Sequence, residues 1–102
     1  MDRYEWLERV LGHCDLTATQ KLVLIALWAC TDDLGANARP GTQALARLCR
    51  VGSRAVDGAL AAGRRLELLE QTSRANPRRR QMAEYRLTLP IPPSSVPRYS
   101  WY

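Results

Sequence analysis

The residues of this chain with the clearest chemical capacity are arginines, and they gather where turns are expected. The stretch Ser73-Arg74-Ala75-Asn76-Pro77-Arg78-Arg79-Arg80 places Arg74, Arg78, Arg79 and Arg80 in one short turn. A guanidinium stays charged at any physiological pH and presents a planar fork of donors that matches phosphate oxygens. A second group, Arg47, Arg50 and Arg54, brackets the break Arg50-Val51-Gly52-Ser53. Thr42, Gln43, Ser53, Ala55 and Asp57 stand beside it on the same segments and complete the candidate binding set. Such a set is suited to holding a polyanion.

Nothing comparable points to catalysis. The chain has no glycine-rich phosphate loop, no nucleophile and base marked by a motif, and no carboxylate cluster at metal-like spacing. Asp32 and Asp33 sit in a stretch that reads as a loop. Cys14, Cys30 and Cys49 are scattered, each within a helical pattern, and make no CxxC pair, so buried free thiols are expected. His13 has no partner at a recognisable ligand spacing. No enzyme activity, metal, cofactor or small-molecule ligand is expected.

The charge is unevenly placed. Residues 1–38 carry Arg3, Arg9 and Lys21 against Asp2, Glu5, Glu8, Asp15, Asp32 and Asp33, a net −3. Residues 39–102 carry twelve arginines against Asp57, Glu67, Glu70 and Glu84, a net +8. This split assigns a polyanionic partner to the C-terminal part. A chain of 102 residues with 46% apolar content fits one globular domain. Its longest apolar run, Leu22 to Cys30, falls well short of the ~18 residues that mark a membrane span. Met1 to Glu5 lacks the features of a secretory signal, which predicts a cytoplasmic protein.

These groups need elements to hold them. Helices are expected over about 2–12, 17–31, 42–49 and 53–66, and strands over about 68–73 and 82–89. Asp2 and Glu5 have capping-box spacing, and Leu7, Val10, Leu11 and Cys14 then share a face, with Tyr4 and Trp6 off it. Thr17 and Gln20 form a second capping box with Leu16 as a staple. The helix that follows is apolar all round, the pattern of a segment enclosed by neighbours. Asp32 to Gly41 is a loop by its turn chemistry, and Pro40 places the next helix start at Gly41 or Thr42. Leu45 and Leu48 are the inward candidates there, with Ala44 and Cys49 beside them. Gly52 or Ser53 caps the fourth helix, whose inward stripe is Val56, Ala59 and Leu60. On the return strand Ala83, Tyr85, Leu87 and Leu89 alternate with Glu84, Arg86 and Thr88. Residues 90–102 form a proline-rich, aromatic tail, for which extended backbone is the default.

Leu16 to Leu89 resembles the winged helix-turn-helix domains of bacterial and phage DNA-binding proteins. It is most similar to small helix-turn-helix proteins and the N-terminal domains of phage replication initiators. The resemblance rests on Leu16-Thr17-Ala18-Thr19-Gln20-Lys21-Leu22-Val23-Leu24, Asp33-Leu34-Gly35, and Pro40 with Leu45-Ala46-Arg47-Leu48. It continues through Arg54-Ala55-Val56, Ala59-Leu60, Leu68-Leu69 and Tyr85-Arg86-Leu87. It implies a mainly α fold with a β-hairpin wing, double-stranded DNA as partner, and a transcription regulator, repressor or replication accessory factor. The segment from Ser53 would then be the recognition helix, and the arginine-loaded turn would lie on the backbone or in the minor groove.

The chain departs from that pattern at Asp57 and Gly58, where basic residues are common, at Gly63, where a large apolar residue is usual, and at Gly41, which replaces a serine cap. A carboxylate at position 57 is repelled by phosphates but can accept from a cytosine amino group. Gly63 suits close approach of the helix to another backbone. Asp57, Gly58 and the acidic first third also fit a different use, a protein-interaction module docking on a host or DNA-bound partner. Dimerisation through the first helix or the aromatic tail is a further expectation.

Overall fold

Caps and stripes set the first two helices. The computed structural model describes residues 2–79 and 81–90, so the expectations for Arg80 and for the tail from 91 onward lie outside the described residues. Helix α1 spans Arg3–Leu11, with the Asp2 carboxylate accepting from the Tyr4 N–H at 2.9 Å. Glu5 reaches forward to Arg9 (3.6 Å). Helix α2 spans Ala18–Ala29 and opens on the expected box: Thr17 Oγ1 accepts from Gln20 N–H (3.1 Å), and Gln20 Oε1 accepts from Thr17 N–H (2.9 Å). Two such bonds satisfy donors that the helix start leaves over.

Helices α3 (Gly41–Cys49) and α4 (Ser53–Arg65) are joined by Arg50, Val51 and Gly52. Arg50 lies in the left-handed region (φ 55°, ψ 47°) and turns the chain out of α3. Strands β1 (Leu69–Ser73) and β2 (Glu84–Leu87) then pair antiparallel, with Leu69 opposite Leu87 and Glu70 opposite Arg86. Thr72 is the extra residue where the register shifts. Among the described residues, four α-helices and a two-stranded sheet make an α+β fold. Both strands are shorter than expected from alternation.

One pairing was not read in advance. Ala38, inside the loop between α2 and α3, bridges Tyr85 through two hydrogen bonds of 3.1 and 2.9 Å. The Gly35 carbonyl accepts from Leu87 N–H (2.8 Å). Strand β2 is thus bonded on both sides, and the hairpin base is tied to the segment leading into α3.

The core lies where α1, α2 and α4 meet the hairpin. Trp6, Val10, Val23, Leu24, Leu27, Leu45, Val56, Ala59, Leu68 and Leu87 are buried. Several inward assignments need correction. Trp6 is not a cover lying off the stripe: it is fully buried, and its Nε1–H donates to the Leu68 carbonyl at 2.6 Å. Leu11 is 42% exposed instead. Leu48 is 66% exposed, and Cys49 takes the inward position with Leu45. Helix α2 is enclosed only at Val23, Leu24 and Leu27, since Leu22 is 47% exposed. Cys14 lies in the turn after α1, and both Cys14 and Cys30 are exposed free thiols; only Cys49 is buried.

The glycines also separate. A Cβ on Gly63 would stand 2.6 Å from Leu69 Cδ2 and 3.1 Å from Leu24 Cδ2, so the close approach is to side chains of β1 and α2, not to a backbone. Gly58 faces open space. Gly41 has φ +75° and sits against Met82, a backbone that favours glycine. None of the described helices is long and apolar enough to cross a membrane.

Candidate nucleic-acid interface

Helix α4 sorts its residues cleanly. Val56, Ala59, Leu60, Ala62 and Gly63 are buried, which leaves Arg54, Asp57, Gly58, Ala61 and Arg65 on the opposite, exposed stripe. No side chain caps the helix at Gly52, and none caps α3 at Pro40. The first turns of both helices thus lack a side-chain acceptor at the positive end of each helix dipole, although in α4 the Ala55 N–H donates to the Gly52 carbonyl (3.1 Å).

The two helices are held together near this surface. Thr42 Oγ1–H donates to Asp57 Oδ1 at 3.5 Å, bringing the first turn of α3 beside the middle of α4. Gln43 and Arg47 on α3, Arg50 in the turn, and Ser53 and Arg54 at the start of α4 are exposed, and Ala55 is half-buried. The start of α3 also faces the hairpin across a groove of about 290 Å³, lined by Gly41, Thr42, Ala44, Arg47, Ala75, Met82 and Tyr85. Arg47 belongs to that groove, and Ala75 brings the arginine-bearing loop next to it.

The hairpin tip is a built turn. Asn76 and Gln81 bridge each other (2.8 and 3.0 Å), and the backbone between them makes a single 3-10 turn, Pro77–Arg79. Arg74, Arg78 and Arg79 are exposed on it.

Charge pairing divides the arginines into two sets. At the hairpin base Arg39 donates twice to Glu84 Oε1 (3.0 and 2.8 Å), and Arg86 pairs with Glu70 across the strands. The Arg39 guanidinium, followed by the Thr72 hydroxyl, holds the Glu84 carboxyl below the usual carboxylate range. By contrast Arg47, Arg50, Arg54, Arg74, Arg78 and Arg79 form no ion pair or hydrogen bond through their guanidinium groups with any described residue. Arg64 and Arg65, at the far end of α4, are exposed as well. Glu70 and Glu84, two of the acids in the C-terminal half, are committed at the hairpin base. Asp57 stands alone among these cations.

Two acidic features lie away from this surface. Asp32 organises the loop after α2, accepting from the N–H groups of Leu34 and Ala36 (2.9 Å each) and from Asn37 Nδ2 (2.7 Å). The Ala36 N–H first, then the Asn37 amide, lower its pKa. The second was overlooked because its members are consecutive in sequence: His13, Cys14 and Asp15 bring their ligand atoms within 4.8 Å of one another. Their turn is held by Asp15 N–H donating to His13 Nδ1 (3.2 Å). Among the described residues no fourth ligand atom joins them, and a structural zinc site takes four.

No family model matches the chain, and no curated protein or solved structure gives a significant match to it.

Proposed function

We propose that this chain is a winged helix-turn-helix protein that binds double-stranded DNA with sequence preference, as a small regulator or accessory factor. Helix α4 enters the major groove through its Arg54–Ala61 face, α3 braces it, and the hairpin tip lies along the backbone or in a narrow minor groove. The observation that carries this reading is the unpaired arginine set on α3, the turn, α4 and the hairpin tip. Exposed guanidinium groups without acidic partners bring counterions with them, and neutralising phosphates in their place releases counterions from the duplex. Three further features support it. The starts of α3 and α4 carry no side-chain cap that would compete with a phosphate oxygen. The Ala38 bridge fixes the hairpin base relative to the entry of α3, so helix and tip keep one spacing. From α2 onward the order of elements, helix, bridge, helix, helix and hairpin, is the one expected of a winged helix-turn-helix.

The test is binding of mixed duplex fragments by fluorescence anisotropy across a salt series, with the variant in which Arg74, Arg78 and Arg79 are all changed to alanine. Affinity should fall steeply with added salt, and some fragments should stay bound at physiological salt. The variant should lose about 2 to 3 from the slope of log affinity against log salt. Weak binding that vanishes at moderate salt for every fragment, with an unchanged slope in the variant, would overturn the proposal. It would favour the protein-docking alternative.

A further inference from the structure

Asp57 is the one carboxylate on the exposed stripe of α4, and its position works against simple charge neutralisation. Arg54 stands three residues earlier on that stripe, within reach of an intrahelical pair, yet no ion pair links them. Among the described residues the single partner of the Asp57 carboxylate is the Thr42 hydroxyl, at 3.5 Å from Oδ1. That separation is longer than an ordinary O–H···O bond, so the contact sets the hydroxyl beside the carboxylate and leaves its accepting capacity largely unused. Asp57 itself is exposed.

Resting on the DNA-binding reading above, we propose that Asp57 is a specificity-determining residue that selects cytosine in the major groove. Thr42 is the positioning residue that presents it. A carboxylate only accepts hydrogen bonds, so it requires an amino donor on the base edge. Guanine and thymine present carbonyl oxygens there and are rejected. Adenine offers its N6 amino group, but its N7 acceptor would face the second carboxylate oxygen. Cytosine N4 offers a donor without that opposing acceptor on the same base. Arg54 lies about 4.5 Å along the helix axis from Asp57, close to one base-pair step of about 3.4 Å. A guanidinium there pairs with guanine O6 and N7. Helix α4 thus selects a cytosine and a guanine at neighbouring pairs. Gly58 and Ala61, small and exposed on the same stripe, let the helix approach closely enough for the short Asp57 side chain to reach a base edge. Repulsion between Asp57 and phosphates weakens binding to every sequence that lacks the matching amino group, which converts a general affinity into a selective one.

The experiment is selection of bound duplexes from a randomised pool by the full-length chain and by the D57A, D57N and T42V variants. Circular dichroism verifies that each variant is folded, and the salt slope of each is measured on the unselected pool. The wild type should recover sites with a fixed cytosine next to a guanine, preferred by about 5- to 150-fold over other bases at that position. D57A should lose the preference at that position alone and bind the unselected pool more tightly. D57N should move the preference toward adenine, which pairs with an amide through N6 and N7. T42V should weaken the cytosine preference while leaving the other positions in place. Identical preferences in wild type and D57A, with a steep salt slope in both, would overturn this inference and leave the DNA reading intact. A pool from which nothing is enriched, bound with a shallow salt slope, would overturn both.

Discussion

In α1 and α2 the helix starts are closed by side chains, Asp2 on Tyr4 N–H and Thr17 on Gln20 N–H, whereas α3 and α4 begin at Pro40 and Gly52 without one. The cations follow the same division. Arg3 donates to Thr31 Oγ1 (3.2 Å) and the Trp28 carbonyl (2.9 Å) and lies over the Trp28 ring at 4.5 Å. Lys21 Nζ reaches the Leu11 carbonyl at 2.6 Å. Among the described residues, Arg47 of α3, Arg54 of α4 and Arg74, Arg78 and Arg79 of the hairpin have no such commitments. The first region directs its polar groups inward, to its own backbone. The second leaves donors and charge facing out, which costs local stability but keeps them available to a partner.

The largest perturbation of this contrast is Trp6→Ala. Removing a fully buried indole and its bond to Leu68 should cost about 3–5 kcal/mol in urea unfolding. A loss below about 1 kcal/mol would show that α1 is not part of the cooperative unit, and the comparison would fail. Next come the two glycines of α4. Gly63→Ala drives a methyl group into Leu69 and should destabilise by about 1–3 kcal/mol. Gly58→Ala meets open space and should stabilise by up to about 1 kcal/mol. Equal signs for both would contradict the packing described for the inner and outer faces.

The smallest effects test the caps. Thr17→Ala should cost about 1 kcal/mol in the same unfolding measurement, while Gly52→Ser should add only a few tenths. The serine hydroxyl would also occupy first-turn N–H groups of α4, so under the proposed function it should lower affinity for duplex DNA. A gain in both stability and affinity would show that the open start of α4 contributes nothing to binding.

Parts of this arrangement were legible in the sequence for local reasons. The Thr17–Gln20 box acts between neighbours, and the Tyr85–Leu87 alternation follows the pleat of a single strand. Val56, Ala59 and Leu60 lie on a helix long enough for its period to show. Trp6 and Leu48 were misplaced because the faces of short helices are decided by what packs on them. The acceptor for Trp6, Leu68, is 62 residues away, and the left-handed turn at Arg50 ends α3 after too few turns for a clear stripe. The Ala38 pairing is a single residue in a loop and leaves no periodic trace. The positions of the candidate arginines were readable, but which would be neutralised was not. Arg39 meets Glu84 across 45 residues, a contact that tertiary structure alone creates.

The Leu68 carbonyl accepts both the Trp6 indole (2.6 Å) and the Thr88 N–H (2.9 Å), joining α1 to the segment just after β2 at a single oxygen. During synthesis the ribosome releases these partners far apart in time. Helix α1 can be wound early and can meet α2 once Trp28 and Thr31 have emerged, but its indole has no acceptor until residue 68 follows, and that oxygen gains its second donor only with residue 88. An emerging chain therefore holds its largest core side chain without its hydrogen-bond acceptor while 62 further residues are added, and the joint to the segment after β2 forms later still.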